Sequence, residues 1–432
     1  MDSNRNHQLI AKYLHPGRGP ILLIASAVVM SSTLRLLSQR VSSQSVPPAS
    51  RPSPASSPGT QESPTTQPAT QDAAPTYPIL RVRSLADTGP EEKLIPWTLR
   101  WALDAVAGPR SIRFETGGVI NLKQPLYVRD PYVHVDGRTT DGRGITIQRS
   151  QFGVVETHDV LIEHMRFRAG DGFASKDELW RDHRLPDSGG WRSLLVIGSP
   201  KRAAHHVTVR HCSIENSSDD NGSCWGNCRD IVFYYCIFAG GHNRNTKAFL
   251  GGADPGEPPP DDPRWLTLDH CLLTETNCRA PDLHGGLFRL VNCAMVAPGQ
   301  GARLTYARGD VIANWLVSKR PHTWPHPDRV LVVDPANTKP RSLYCSGNWL
   351  DGAPAPDRLL GVVNQGETDP PPELFSDAPL RKDPCHPDPP EQAIRDILDR
   401  AGCLPRDEQD RALIDRVRER VERMRPAKGP GR

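Results

Sequence analysis

From residue 160 onward the apolar positions of the chain fall into short units of one form. The units are VLIEHMRF (160–167), VTVRHCSI (207–214), IVFYYCIF (231–238), LTLDHCLL (266–273), FRLVNCAM (288–295) and DVIANWLV (310–317). Aligned on their sixth residue, they put Met165, Cys212, Cys236, Cys271, Cys293 and Trp315 in one column. The column before it reads His164, His211, Tyr235, His270, Asn292, Asn314. Apolar residues stand at −5 and −3 from the main column and again at 0 and +2, as in Val207, Val209, Cys212 and Ile214. Each half alternates like a half-buried strand. Between the halves the alternation slips by one residue, which on a straight strand would exchange the faces. The chain must therefore bend just before the main column. His and Asn there are residue types enriched at left-handed backbone positions.

The spacing sets the architecture. Cys271 to Cys293 and Cys293 to Trp315 are both 22 residues, and Cys212 to Cys236 is 24. A period of this size built on short strands predicts a solenoid. The fold class expected is all-β, a right-handed single-stranded parallel β-helix whose coils stack at about 4.8 Å. Cys236 to Cys271 spans 35 residues, a coil plus the loop GGADPGEPPPDDP. Met165 to Cys212 spans 47, one coil with a long insertion, or two coils. The solenoid ends need covers. WTLRWALDAVAG (97–108) reads as an amphipathic helix for the N-terminal end. EQAIRDILDRAG and RALIDRVRERVERMR, the latter with Leu413, Val417, Val421 and Met424 at helical spacing, read as C-terminal helices lying along the outside or closing the other end.

Composition divides the rest. Residues 43–77 are dominated by Ser, Pro, Thr and Gln and read as a disordered linker. Before it, within residues 1–42, the apolar run ILLIASAVVM (21–30) follows Lys12 and Arg18. It suits a signal peptide or an uncleaved membrane anchor. Either reading places the β-helix, residues 78–385, and the helical tail, 386–432, outside the cytoplasm, secreted or in the cell envelope. The formal net charge is +3, which gives no reason to expect a nucleic-acid partner. Among ten cysteines, the stacked ones read as small hydrophobes. Cys224 with Cys228 and Cys385 with Cys403 are disulfide candidates; a zinc site at Cys224/Cys228 lacks a second ligand pair.

Counting forward from the main column finds the chemistry. Asp171 stands at +6 from Met165, Asp219 and Asp220 at +7 and +8 from Cys212, and His242 and Lys247 at +6 and +11 from Cys236. Arg279, Asp282 and His284 stand at +8, +11 and +13 from Cys271. All leave the coil on one side, spanning on the order of 15 Å along the axis. Singly, a loop Asp is usually a turn former and a loop Lys or Arg a surface charge; the shared phase makes them a candidate site. Paired acids with nearby cations suit an acidic polysaccharide. The histidines of the bend column read as structural.

Several segments together resemble the bacterial pectate lyases of the parallel β-helix polysaccharide lyase superfamily. The similarity covers roughly residues 78–422. It runs through the opening LRVRSLADTGPEEKLIPWTLRWALDAVAGPRSIRFETGGVINLKQPLYVRDPYVHVDGRTTDGRGITI, then MRFRAGD (165–171), VRHCSIENSSDD (209–220), NTKAFLGG (245–252) and CRAPD (278–282). The resemblance implies β-elimination on a polygalacturonate-type polymer by an enzyme expected to be a monomer. Arg279 would be the base and Lys247 the partner of the substrate carboxylate, with His242 and His284 as further substrate contacts. Calcium would be held by Asp219, Asp220 and Asp171. Two departures stand out. Ser193 occupies the place nearest a further calcium-binding Asp of the family, and Asp282 stands where a second basic residue is common. Two other functions use parts of the same set: a polygalacturonase-type hydrolase working through Asp219 and Asp220, and a non-catalytic polysaccharide-binding β-helix.

Overall fold

In a computed structural model, the residues described are 77–183, 190–253, 265–296, 301–317, 331–333, 341–355, 360–362 and 372–424. They lie in one compact unit. The readings of residues 1–42 and of nearly all the linker fall outside the described residues, as does most of the Pro-rich loop after Gly252. Among the described residues no helix is long and apolar enough to cross a membrane.

The chain is a parallel β-helix. Successive strands rotate through three parallel sheets of ten, ten and nine strands, here called A, B and C in the order a coil visits them. Every strand pairs with its counterparts one coil away. Among the described strands the sole antiparallel pairing is Trp349–Leu350 with Ala353–Pro354. The 47-residue step is one coil: Met165–Arg168 pairs directly with Ser213–Glu215, and the insertion carries the short helix α2 (Lys176–His183). At the N-terminal end α1 (Leu99–Asp104) is shorter than its sequence pattern. Thr98 caps it by accepting from the Trp101 amide, and its buried face carries Leu99, Arg100, Ala102 and Leu103. Arg100 is paired through two hydrogen bonds, 2.7 and 2.9 Å, with buried Asp87.

The bend between sheets A and B has the left-handed backbone expected of it. His164, His211, Tyr235, His270 and Asn292 all have φ between 50° and 55°. Their rings stack: His164 on His211 at 5.1 Å, His211 on Tyr235 at 5.3 Å, Tyr235 on His270 at 4.7 Å.

One unit of the alignment is corrected. Ala294 pairs with Trp315, so Cys293 stacks on Asn314, one residue earlier than the apolar pattern says. Ala313, with φ 52°, is the bend residue. The step is therefore 21 residues, not 22. Trp315 misleads because it is buried on the outer face of sheet B. There it packs with Ile237, Leu272 and Val296 against Ile394 and Ile397 of α3 (Pro390–Arg400) and Val417 and Val421 of α4 (Glu408–Met424). The two C-terminal helices thus lie along sheet B. A buried ionic cluster fixes α4: Arg168 bonds Glu215, Asp407 and Asp410, and Ser213 bonds Asp410.

The main column is more than small apolar filling. From Cys236 on, each of its members donates to the carbonyl three residues before the column position of the preceding coil. Cys236 donates to Val209 O (3.4 Å), Cys271 to Phe233 O (3.4 Å) and Cys293 to Leu268 O (3.2 Å). Asn314 donates to Leu290 O (3.0 Å) and Asn348 to Val311 O (2.9 Å). Thiol and carboxamide serve the same carbonyl as a second donor beside the strand amide of the next coil, so Cys and Asn are interchangeable in kind. The disulfide candidates are corrected as well: Cys224, Cys228, Cys385 and Cys403 are free thiols. Cys224 and Cys228 point into the core, and Cys403 donates to His164 O.

The equivalence has a measurable consequence. Asn314→Leu takes the second donor from Leu290 O and leaves unpartnered the Cys293 amide, which bonds Asn314 Oδ1 at 2.8 Å. It should cost roughly 1–3 kcal/mol of unfolding free energy, the penalty for one orphaned group. Asn314→Cys, whose thiol keeps the second donor on Leu290 O, should cost less in urea titrations. Equal losses would refute the shared role.

Candidate functional site

The candidate residues sit at a different corner, between sheets B and C. Sheet C pairs Leu194 with Gly222, Gly222 with Phe249 and Leu250 with Asp282. The amides of Asn221 and Ala248 continue this ladder, donating to Lys247 O and Arg279 O. Two residues before the strands, the register brings Arg192, Asp220, Lys247 and Arg279 into one column on four successive coils. Upstream, where Leu126 pairs with Phe152 and Phe152 with Leu194, the same column continues through Gln124 and Ser150. These two residues line a cleft of about 660 Å³ together with Lys123, Arg149, Asp182 and Trp191. The cleft and the charged column are therefore one continuous edge of the solenoid.

Side-chain contacts follow the column. Lys247 Nζ donates to Asp220 Oδ1 (2.9 Å). Arg192 reaches Asp219 Oδ2 (3.1 Å) and approaches Asp220 Oδ2 (3.5 Å). Arg279 Nη1 donates to Asp282 Oδ2 (2.9 Å), and His284 Nε2 lies 3.1 Å from the other oxygen. Asp220 and Asp282 are buried. Lys247 and Arg279 reach the surface, their side chains 16% and 27% exposed. Asn221 ties the corner down, accepting from the Ser217 amide and donating to Ala239 O and Gly240 O.

Asp171 and His242 form a separate pair, Oδ1 to Nε2 at 3.0 Å, with Asn216 donating to the other carboxylate oxygen. Gly170 permits it: a Cβ there would lie 2.4 Å from the His242 ring and 2.3 Å from Asn216 O.

The electrostatics sort the roles. Burial and the adjacent Asp220 carboxylate push Asp219 up to about 6, against the pull of Arg192 and Lys247. Burial opposes the charge of Lys247, but Asp220 and Asp219 outweigh it and hold the ammonium above its ordinary value. Burial likewise raises Asp282, but the His284 hydrogen bond and the charges of His284, Arg279 and Lys247 bring it to about 2.

These facts test the calcium expected from the sequence. Among the described residues, the sets of three or more acidic, His or Cys ligand atoms lying within 4.8 Å of one another are His134–Asp136–Glu163 and His270–Asp388–Asp396. Asp171, Asp219 and Asp220 do not form such a set. The charges of Asp219 and Asp220 are already compensated by Arg192 and Lys247. Ser193 is spent on the backbone, accepting from the Ala169 amide and donating to Glu215 O. The residues do not fit a calcium ion at this corner.

Forward counting from the Cys column passes over Arg192 and Trp191, which follow the insertion. Counting back from sheet C finds Arg192 at once, two residues before Leu194, as Asp220 is before Gly222.

No family model matches the chain, and no curated protein sequence does. Solved structures do resemble it. The major allergen of cedar pollen has a TM-score of 0.47 at 13% identity, over 76% of this chain and 88% of that one. A pectate lyase of Bacillus subtilis has a TM-score of 0.41 at 14% identity, over 64% and 69%. A Bacillus pectate lyase in complex with trigalacturonate has a TM-score of 0.41 at 12% identity, over 68% and 86%. At such identities the likeness is one of fold. What the corner does is argued from its own residues.

The raised Asp219 carries a pH signature. The folded chain holds its proton up to about pH 6, the unfolded chain only to about 3.9. The contribution of this group to stability is therefore complete below about pH 4 and is lost as pH rises through about 6. Relative to Asp219→Asn, the wild type should lose at most roughly 2–3 kcal/mol between about pH 4 and 7. Paired urea melts across that range measure it, and a constant difference would contradict the assignment.

Proposed function

We propose that the chain is a polysaccharide-lyase-like enzyme that cleaves an acidic, polygalacturonate-type polymer by β-elimination. The observation that carries the reading is the placement of Lys247 and Arg279 on consecutive coils of one corner, about 4.8 Å apart along the axis. Both are partly open to solvent and each is braced from beneath by a buried carboxylate. The Lys247 ammonium suits a uronate carboxylate. The C5 proton is acidified when the neighbouring carboxylate is neutralised. It passes to a base, the C5–H electron pair becomes the C4–C5 double bond, and the C4–O4 bond breaks, its oxygen leaving with a proton. Lys247 binds the carboxylate. Arg279, oriented by Asp282 and acting in its neutral form, takes the proton-accepting role that the sequence resemblance gives it, and becomes the guanidinium as C5 loses its proton. The cleft beside Trp191 gives the polymer room to extend along the same edge. Arg192 supplies at Asp219 and Asp220 the positive charge that calcium was expected to bring. Export, inferred from residues 21–30, suits such a substrate.

A second reading, hydrolysis, rests on Asp219, whose value of about 6 lies in the range of a general acid. It lacks a suitable partner. Asp220 is fully buried and held by Lys247, and adjacent residues do not flank a glycosidic bond from two sides.

Incubation with polygalacturonate separates the readings. An ultraviolet-absorbing unsaturated uronate is expected, at a rate changed less than about twofold by added calcium. Arg279→Ala should abolish the product while the chain still folds cooperatively, at a melting temperature lowered by the loss of the Asp282 pair. New reducing ends without absorbance would establish hydrolysis, and full activity in Arg279→Ala would remove that residue from the site.

A further inference from the structure

At the bend between sheets A and B, away from the corner just described, His270 stands out from its ladder. Its side chain is 92% buried, 8% remaining exposed, and its ring stacks on Tyr235. Nδ1 lies 2.6 Å from Asp269 Oδ1. Nε2 has no hydrogen-bond partner, yet it lies 3.2 Å from Asp388 Oδ2. Asp396, on the second turn of α3, completes the group: ligand atoms of His270, Asp388 and Asp396 all lie within 4.8 Å of one another.

The chemistry of this arrangement calls for a cation. A neutral imidazole carries one N–H. Asp269 takes it, leaving the Nε2 lone pair aimed at two carboxylates. Three lone-pair donors facing one small space repel unless a positive charge lies between them. Asp388 is close to Nε2 but outside hydrogen-bonding geometry, which is how two ligands of one ion stand. At metal–ligand lengths of about 2.0–2.1 Å, tetrahedral ligands are about 3.3 Å apart, against the 3.2 Å observed.

The surroundings are built to hold the shape. The Asp388 amide donates to Asn292 Oδ1 (3.0 Å), and Asn292 Nδ2 donates to Asp388 O (2.8 Å). Gln392 donates to Asp396 Oδ2 (2.9 Å). Asp269 is the carboxylate that fixes the tautomer of a ligating histidine.

We propose that His270, Asp388 and Asp396 bind a first-row divalent cation of the zinc class, with a fourth position open to water. One imidazole and two carboxylates form a mixed nitrogen–oxygen set suited to such an ion. The ion joins the stacked bend to the segment that starts α3, so it staples the C-terminal helices to the solenoid. The proposal does not rest on the lyase reading.

The test is zinc chloride titrated calorimetrically into the metal-free full chain, with thermal melts alongside. One ion per chain is expected, with a rise in melting temperature on saturation. Asp388→Asn and Asp396→Asn, both at accessible positions, should each weaken binding at least tenfold and abolish the thermal shift, with melting in the absence of metal unchanged. His270→Gln should do the same if it folds; the two Asp variants decide the matter without it. No binding by the wild type overturns the proposal, as does a loss below tenfold in either Asp variant. In the latter case the ion sits elsewhere, for instance on the thiols, and His270 is a protonated bridge between carboxylates.

Discussion

The structure depends on one constraint: the backbone of each coil must hydrogen-bond, in register, to the coils above and below. Parallel pairing makes residues of equal phase neighbours at about 4.8 Å for the length of the solenoid. Any property placed at one phase is therefore repeated as a stack. In the interior this selects side chains that fit a narrow column and give a strand carbonyl of the preceding coil a second donor. Cys and Asn meet both demands, which is why the column passes from four cysteines to Asn314 and Asn348 without a break in its bonding pattern. At the bend itself it selects flat rings, whose stacking accompanies a left-handed backbone that non-glycine residues otherwise avoid.

The same constraint governs charge. Like charges stacked at this spacing repel, and partial burial strengthens the repulsion. The column at the B–C corner avoids it in two ways. Arg192, Asp220 and Lys247 alternate in sign along the axis. Arg279, which follows Lys247 and would repel it, has its own carboxylate in Asp282 on the adjoining strand. The ordering leaves little unpaired negative charge for an added metal at Asp219 and Asp220. At the other corner the balance is reversed, since the ligand atoms of His270, Asp388 and Asp396 gather within 4.8 Å of one another.

Much of this was legible in the sequence, and the failures share a cause. The solenoid, its bend and the sites of insertion follow from apolar spacing because the stack must repeat it. Trp315 was misplaced because the alignment treats every large apolar residue as interior. The outer face of sheet B is apolar too, covered by α3 and α4, and a two-sided strand carries no alternation from which to fix register. Arg192 was missed because corner loops vary in length. An offset counted across the loop drifts, whereas one counted from the next paired strand does not. The calcium expectation came from residue types, and types do not reveal that Lys247 and Arg192 already occupy the carboxylates. The partnership of His270 with Asp388 and Asp396 joins positions more than a hundred residues apart, and no local pattern encodes it.

On the proposed function, the internal pairing of Lys247 and Arg279 has a consequence for catalysis. The Lys247 ammonium, already compensated by Asp220, attracts a singly charged uronate only weakly, and that interaction must displace water and compete with the existing pair. As the C5 proton leaves, charge accumulates on the substrate carboxylate. The attraction to the fixed, partly desolvated Lys247 then grows, and the guanidinium that Arg279 becomes on taking the proton adds to it. Only the interaction that strengthens between ground state and transition state accelerates the chemical step. Donors held in place before the reaction deliver it without reorganisation. The buried carboxylates beneath the cations thus hold them in position and limit tight binding of the ground state, so that the larger share of their electrostatic effect falls on the step in which the proton is removed.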